Sequence, residues 1–219
     1  MKYYIYISDT KVDMLYPQIP KSLLKKIAST LSIDLKLLGA EVNVAGKSSP
    51  SDETRYTKVK IVSEYIEKHL DVGSVDAPST YFKGTLAMQW GPFRAGGGIV
   101  YFGGATVRTI LGLGGSTNHV IGVNKGSTVE NYGSILYALA NALRQDETQL
   151  LLPSSGEREK NETLDNVLRA ARLLTGPNQQ LEFLAKTLLQ GSYKPSWEEV
   201  AKPPSYVVLG TPIYVALAD

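Results

Sequence analysis

Cysteine is absent from the chain, which excludes disulfides, thiol nucleophiles, iron–sulfur clusters and cysteine-ligated zinc. Histidine is scarce, with only His69 and His119. A zinc catalyst usually needs three protein ligands, commonly histidines, so no metal centre is expected. The one alternative is an oxygen-rich site for a hard cation around Asp9 and Asp13. No apolar run approaches the ~18 residues of a membrane span. Charge of one sign is also lacking: 23 Lys and Arg face 21 Asp and Glu, a net +2. That leaves no broad basic footprint for nucleic acid or an anionic membrane. Lys2 precedes only the short run Tyr3 to Ile7 before Ser8 and Asp9, unlike the long apolar core of a secretory signal, so a cytoplasmic, soluble protein is expected.

What is present suits one domain over residues 1–219, with 43 % hydrophobic residues to build its core. Tyr3 to Ile7 is β-branched and aromatic and reads as a central strand covered on both faces. Leu23, Leu24, Ile27 and Leu31 recur at helical spacing, as do Tyr56, Val59, Val62, Ile66 and Leu70. Ala40 to Ala45 alternates weakly as an edge strand. From Tyr81 to Val123 glycines interleave with β-formers, predicting a meander of strands at 81–90, 99–102, 106–113 and 119–123. Its turns fall at 91–98, Gly103-Gly104 and 114–118. In these strands Phe82, Leu86, Met88 and Trp90 share one face, and Val107, Leu111 and Leu113 another. Three helical stripes follow, on Ile135 to Leu143, on Leu164 to Ala171, and on Leu181 to Leu189 with Gly191 as its C-cap. Tyr206 to Leu217 closes the chain as a strand bent at Gly210-Thr211-Pro212. Helical blocks flanking hairpins predict an α+β fold, a largely antiparallel mixed sheet with helices packed on it.

The segment most suited to a ligand is Gly114-Gly115-Ser116-Thr117-Asn118-His119, where glycines permit close approach of backbone amides and hydroxyls add donors. It matches no dinucleotide or P-loop fingerprint: Thr117 stands where the third glycine of Gly-x-Gly-x-x-Gly would fall. A plain hairpin turn is the competing reading. His119 is the candidate catalytic residue, if an acid from elsewhere reaches it; a hydrogen-bonded core histidine is its alternative. Arg108 offers a guanidinium for phosphate or carboxylate, Arg94 and Lys83 lie in the same block, and surface charge would explain them equally. The aromatic residues of the strands read mostly as core, and Trp90 and Phe93 at the turn end are the ones that would alternatively wall a pocket and stack a planar ligand. His69, near a helix end, reads as a surface residue.

Tyr4-x-Tyr6-x-Ser8-x-x-Lys11-Val12-Asp13-Met14-Leu15, Leu113-Gly114-Gly115-Ser116-x-x-His119-Val120-Ile121-Gly122 and Gly210-Thr211-Pro212-Ile213-Tyr214-Val215-Ala216 together resemble an uncharacterised family of small bacterial proteins of unknown function. The resemblance covers essentially the whole chain, implies a bacterial cytoplasmic source, and assigns no catalytic residue. The residues themselves point first to a binding or sensor module for a small anionic, nucleotide-derived molecule held by Arg108, Gly114, Gly115, Ser116, Thr117, His119 and Trp90. A hydrolase or transferase using His119 is one alternative, and a protein-interaction module whose glycines are purely structural is another. No cofactor is specified, and a homo-oligomer is compatible with the composition.

Overall fold

The computed structural model describes residues 2–35, 52–92, 98–122, 176–192 and 206–218, with Val167, Ala170, Ala171 and Leu174 between them. The chain divides into two compact units, Ser8–Asp71 and the remainder, Met1–Ile7 with Val72–Asp219.

The first unit is helical. α1 (Asp9–Leu15) leads through a 3-10 turn at Tyr16–Gln18 to α2 (Lys21–Thr30), and α3 (Asp52–His69) contacts both helices. Pro17 and Pro20 sit where each new helix begins, so their missing N–H groups cost no intrahelical bond. Val59, Val62 and Ile66 are fully buried along α3, the stripe that the sequence period predicts. Among the described residues no helix is long and apolar enough to cross a membrane.

The second unit is a mixed sheet that closes into a barrel. It comprises β1 (Tyr3–Ile7), β2 (Val72–Gly73), β3 (Tyr81–Pro92), β4 (Ile99–Ala105), β5 (Thr109–Ser116), β6 (Gln179–Ser192) and β7 (Tyr206–Leu217). β3, β4 and β5 form the antiparallel meander; β5 runs parallel to β7, and β6 pairs antiparallel with both β7 and β3, completing the ring. The fold is α+β. β1 is the last strand of the pairing path rather than a central one: it pairs with β7, and on its other side, among the described residues, it meets a single bridge from Tyr6 to Val120. Both its faces are nonetheless buried beyond Tyr3, which is what its sequence reflects.

Phe82, Met88, Phe102, Leu111, Phe183 and Val215 point inward and are essentially inaccessible, so side chains fill the barrel. On the outer face of β4, β5 and β7, Tyr101, Val207 and Leu209 pack against the helical residues Val167 and Ala170. Glycine sets the fit between these layers. A Cβ on Gly112 would meet the Tyr101 hydroxyl, and Tyr101 Cζ at 2.7 Å. One on Gly103 would lie 3.3 Å from Ala171 Cβ and 2.9 Å from Leu174 Cδ1, so the helical segment can approach the sheet only over a bare backbone.

Several expectations are corrected. Residues 181–189 belong to β6, not to a helix, and Gly191 lies within that strand rather than at a cap. Leu181, Phe183 and Ala185 face inward while Leu184, Leu188 and Leu189 are covered outside. A bulge between Thr187 and Leu189 then shifts the phase, so apolar residues on both faces imitate a helical stripe. Gly103 and Gly104 are strand residues, and the turn is Thr106-Val107-Arg108. There Thr106 Oγ1 accepts from the amides of Arg108 (3.1 Å) and Thr109 (2.9 Å), a threonine-based turn. Val107 is 95 % exposed at its tip instead of in the core. Residues 119–122 form no strand beyond a single bridge at Val120, and His119 ends a 3-10 turn at Thr117–His119, while Val123 lies outside the described residues. The expected strand at 40–45 and helix at 135–143 lie outside the described residues, as do Phe93 and Arg94.

Substituting Gly112 by Val drives two methyl groups into the Tyr101 ring. Overpacking of this kind costs about 1–3 kcal/mol, readable as a lowered urea midpoint. Gly91, whose Cβ would meet nothing within 4 Å, accepts Ala with a change of about 0.5 kcal/mol or less. Equal effects at the two positions would contradict the packing account.

Candidate functional site

The candidate residues divide between the two ends of β5. Arg108 precedes the strand and Ser116 ends it, and eight residues at ~3.3 Å each set them roughly 25 Å apart. Arg108 therefore does not join the others. It lies at the Thr106 turn, where Thr106 Oγ1 donates to Asp76 Oδ1 at 2.5 Å. The hydrogen bonds of Thr106 and then Thr109, with the Arg108 charge, hold the exposed Asp76 carboxyl below its ordinary range. That end of the barrel carries a surface charge pair.

Trp90, Gly115, Ser116, Thr117 and His119 do share an end. Trp90 pairs with Phe102 across β3 and β4, Phe102 with Leu113 across β4 and β5, and Val100 with both Pro92 and Gly115. Rings connect the two flanks through the core. Trp90 stacks on Phe102 with centroids 5.6 Å apart and planes at 22°. Phe102 meets Tyr6 edge-on at 5.9 Å, and Tyr6 meets the His119 imidazole edge-on at 5.9 Å. Each such contact contributes about 0.5–1.5 kcal/mol beyond the area it buries. The Trp90 indole Nε1–H donates to Gln179 Oε1 at 2.8 Å, and the neighbouring Gln89 Nε2 donates to the Gly176 carbonyl at 2.6 Å. Two adjacent residues of β3 thus hold the start of β6 against this end.

Gly114 and Gly115 lie in β5, not in a turn, and neither has positive φ. Gly115 is required by Tyr6: a Cβ there would meet the ring's hydroxyl, and Cζ at 2.6 Å. Gly114 and Gly115 pair with Tyr101 and Val100 of β4, past the stretch Thr109 to Leu113 in which β5 also pairs with β7. In the turn beyond, Thr117 N donates to the Gly98 carbonyl at 2.8 Å, Asn118 N to Ser116 Oγ at 3.3 Å and Val120 N to the Thr117 carbonyl at 3.1 Å. Those amides are engaged within the protein, so a ligand here is met by side chains. A Gly115→Val variant would perturb Tyr6 before any ligand.

Tyr6, Phe102 and Gln179 are the members of this site that sequence reasoning missed. Tyr6 and Gln179 lie far from residues 114–119 in the chain, and nothing local signals that a strand from each end of the sequence converges there. Just before β1, the Lys2 ammonium lies 2.9 Å from Glu182 Oε1 and donates to the Tyr214 hydroxyl at 2.9 Å. Desolvation opposes the charge, but the hydrogen bonds to Tyr214 and Glu182 outweigh it and hold the amine above the usual lysine range.

Asp9 and Asp13 are ion-paired with α3: Arg55 Nε lies 2.6 Å from Asp9 and Lys58 Nζ 2.9 Å from Asp13. Among the described residues no group of three or more His, Asp or Glu is placed to hold a metal ion. His69 is exposed beside the Tyr65 ring at the end of α3.

A family model of proteins of unknown function, DUF7019, matches residues 2–219. The chain belongs to this family. No curated protein and no solved structure matches it. Membership in DUF7019 agrees with the resemblance to an uncharacterised family and brings no activity with it.

Within the helical unit, the Lys11 amine donates to Ser8 Oγ at 3.1 Å, and burial pushes it down to about 8. Between pH 8 and 10.5 the unfolded chain holds this proton more tightly than the folded one, so Lys11 makes stability rise with pH across that window. Lys11→Met removes the desolvated charge. The variant should be more stable than the parent at pH 7 and lose that advantage by pH 10.5, in chemical denaturation followed at both values. A constant difference would contradict the assignment.

Proposed function

We propose that this DUF7019 protein is a binding or sensor module for a small anionic, nucleotide-derived molecule, and that the Trp90–His119 end of the barrel is where it binds. The observation that carries this reading is the chain of rings from Trp90 through Phe102 and Tyr6 to His119. It joins the half-buried Trp90 ring of β3 to an imidazole on the turn after β5 through the buried Phe102 and Tyr6, beside the hydroxyls of Ser116 and Thr117. Because the interior is filled, recognition occurs at the rim. With the turn amides engaged, the anion is met by the His119 imidazole and the Thr117 hydroxyl. The cytoplasm is the compartment this ligand class suits.

Titration of ¹⁵N-labelled protein with AMP tests the reading. Saturable shifts at the amides of Thr117 to His119 are expected. His119→Ala should weaken binding by about tenfold, the loss of one charge-assisted hydrogen bond, and Arg108→Ala should leave it unchanged. Shifts confined to Thr106–Arg108, or none, would overturn it.

A further inference from the structure

The indole of Trp90 has its orientation fixed twice. One face lies on Phe102 at 22°, and its only polar atom, Nε1, is committed to Gln179. Yet the residue is only half-buried, at the C-terminal end of β3 where the barrel opens. With the indole N–H engaged, whatever part of this half-buried ring meets solvent is apolar π system. A ring held in place before a ligand arrives loses little rotamer freedom on binding, and a flat ring gains most from such a surface.

We infer that Trp90 is a stacking platform for a flat heteroaromatic ring, with Gln179 as its positioning residue. This rests on the reading of the same barrel end as a binding site, and adds which part of the ligand is held where. The ring lies on Trp90, and any anionic part extends toward Ser116, Thr117 and His119. Gln179 acts through Trp90. Without its acceptor the indole turns, and the stacking face is no longer presented.

The chain has two tryptophans, Trp90 and Trp197, so a Trp197→Phe variant makes Trp90 the sole indole fluorophore. Adenosine, a ring without phosphate, should quench it saturably; ribose 5-phosphate, a phosphate without the ring, should not. Gln179→Leu should weaken adenosine binding about fivefold, the cost of ordering one side chain, while Gln179→Glu, which keeps an acceptor, restores it. The same titration followed through the Trp90 indole N–H resonance of the unmodified chain covers the case in which Trp197→Phe does not fold. Quenching linear in adenosine without saturation, or a Gln179→Leu affinity equal to the parent's, overturns the platform. If ribose 5-phosphate alone shifts the His119 amide, the platform fails and the anion site stands; if neither probe produces a response, both fail.

Discussion

One ring determines how β1 docks on this barrel. Tyr6 has no solvent-accessible surface, and its ring occupies the place a side chain at position 115 would take. β1 can add beside β7 and bridge to Val120 only if β5 passes that ring as bare backbone. The same ring touches Phe102 and His119, so the seating of β1, the packing around Phe102 and the placement of His119 share one pairing of a large residue with none. The principle recurs where Tyr101 lies over Gly112, and where Phe82 Cζ would come within 2.7 Å of a Cβ on Gly210.

This bears on how glycine-rich sequences are read for function. Gly114-Gly115-Ser116-Thr117 has the composition of an anion cradle, but a cradle needs unengaged amides converging on a point. Here both glycines lie in a strand paired to β4, and at Gly115 the missing Cβ makes room for an aromatic ring. In the turn beyond, the amides of Thr117, Asn118 and Val120 are engaged within the protein.

Elements with one exposed face, or with a strong local preference, were legible. α2, α3, β7, and β1 as a strand carry their period or composition openly, and the antiparallel meander follows from glycine density among β-formers. β6 was not legible, because a strand covered on both faces, with a bulge in the middle, has no period of two to read. The turn before β5 was hidden because Thr106 does through its hydroxyl what Gly103-Gly104 suggested by composition. For the site, Trp90, Ser116 and His119 were visible as residue types. Their convergence and the exclusion of Arg108 depend on strand register, and the contributions of Tyr6 and Gln179 depend on contacts between distant parts of the chain.

If Tyr6 and Gly115 are one structural unit, their substitutions must be strongly coupled. A double-mutant cycle with Gly115→Ala and Tyr6→Leu, read by urea denaturation, measures this directly. Gly115→Ala alone should destabilise by about 1–3 kcal/mol through overpacking. Once the ring is replaced by a smaller side chain, the same change should cost far less, leaving a coupling of about 1 kcal/mol or more. Strictly additive effects would show that the methyl group at 115 and the Tyr6 ring do not compete for the same space, and would contradict the account.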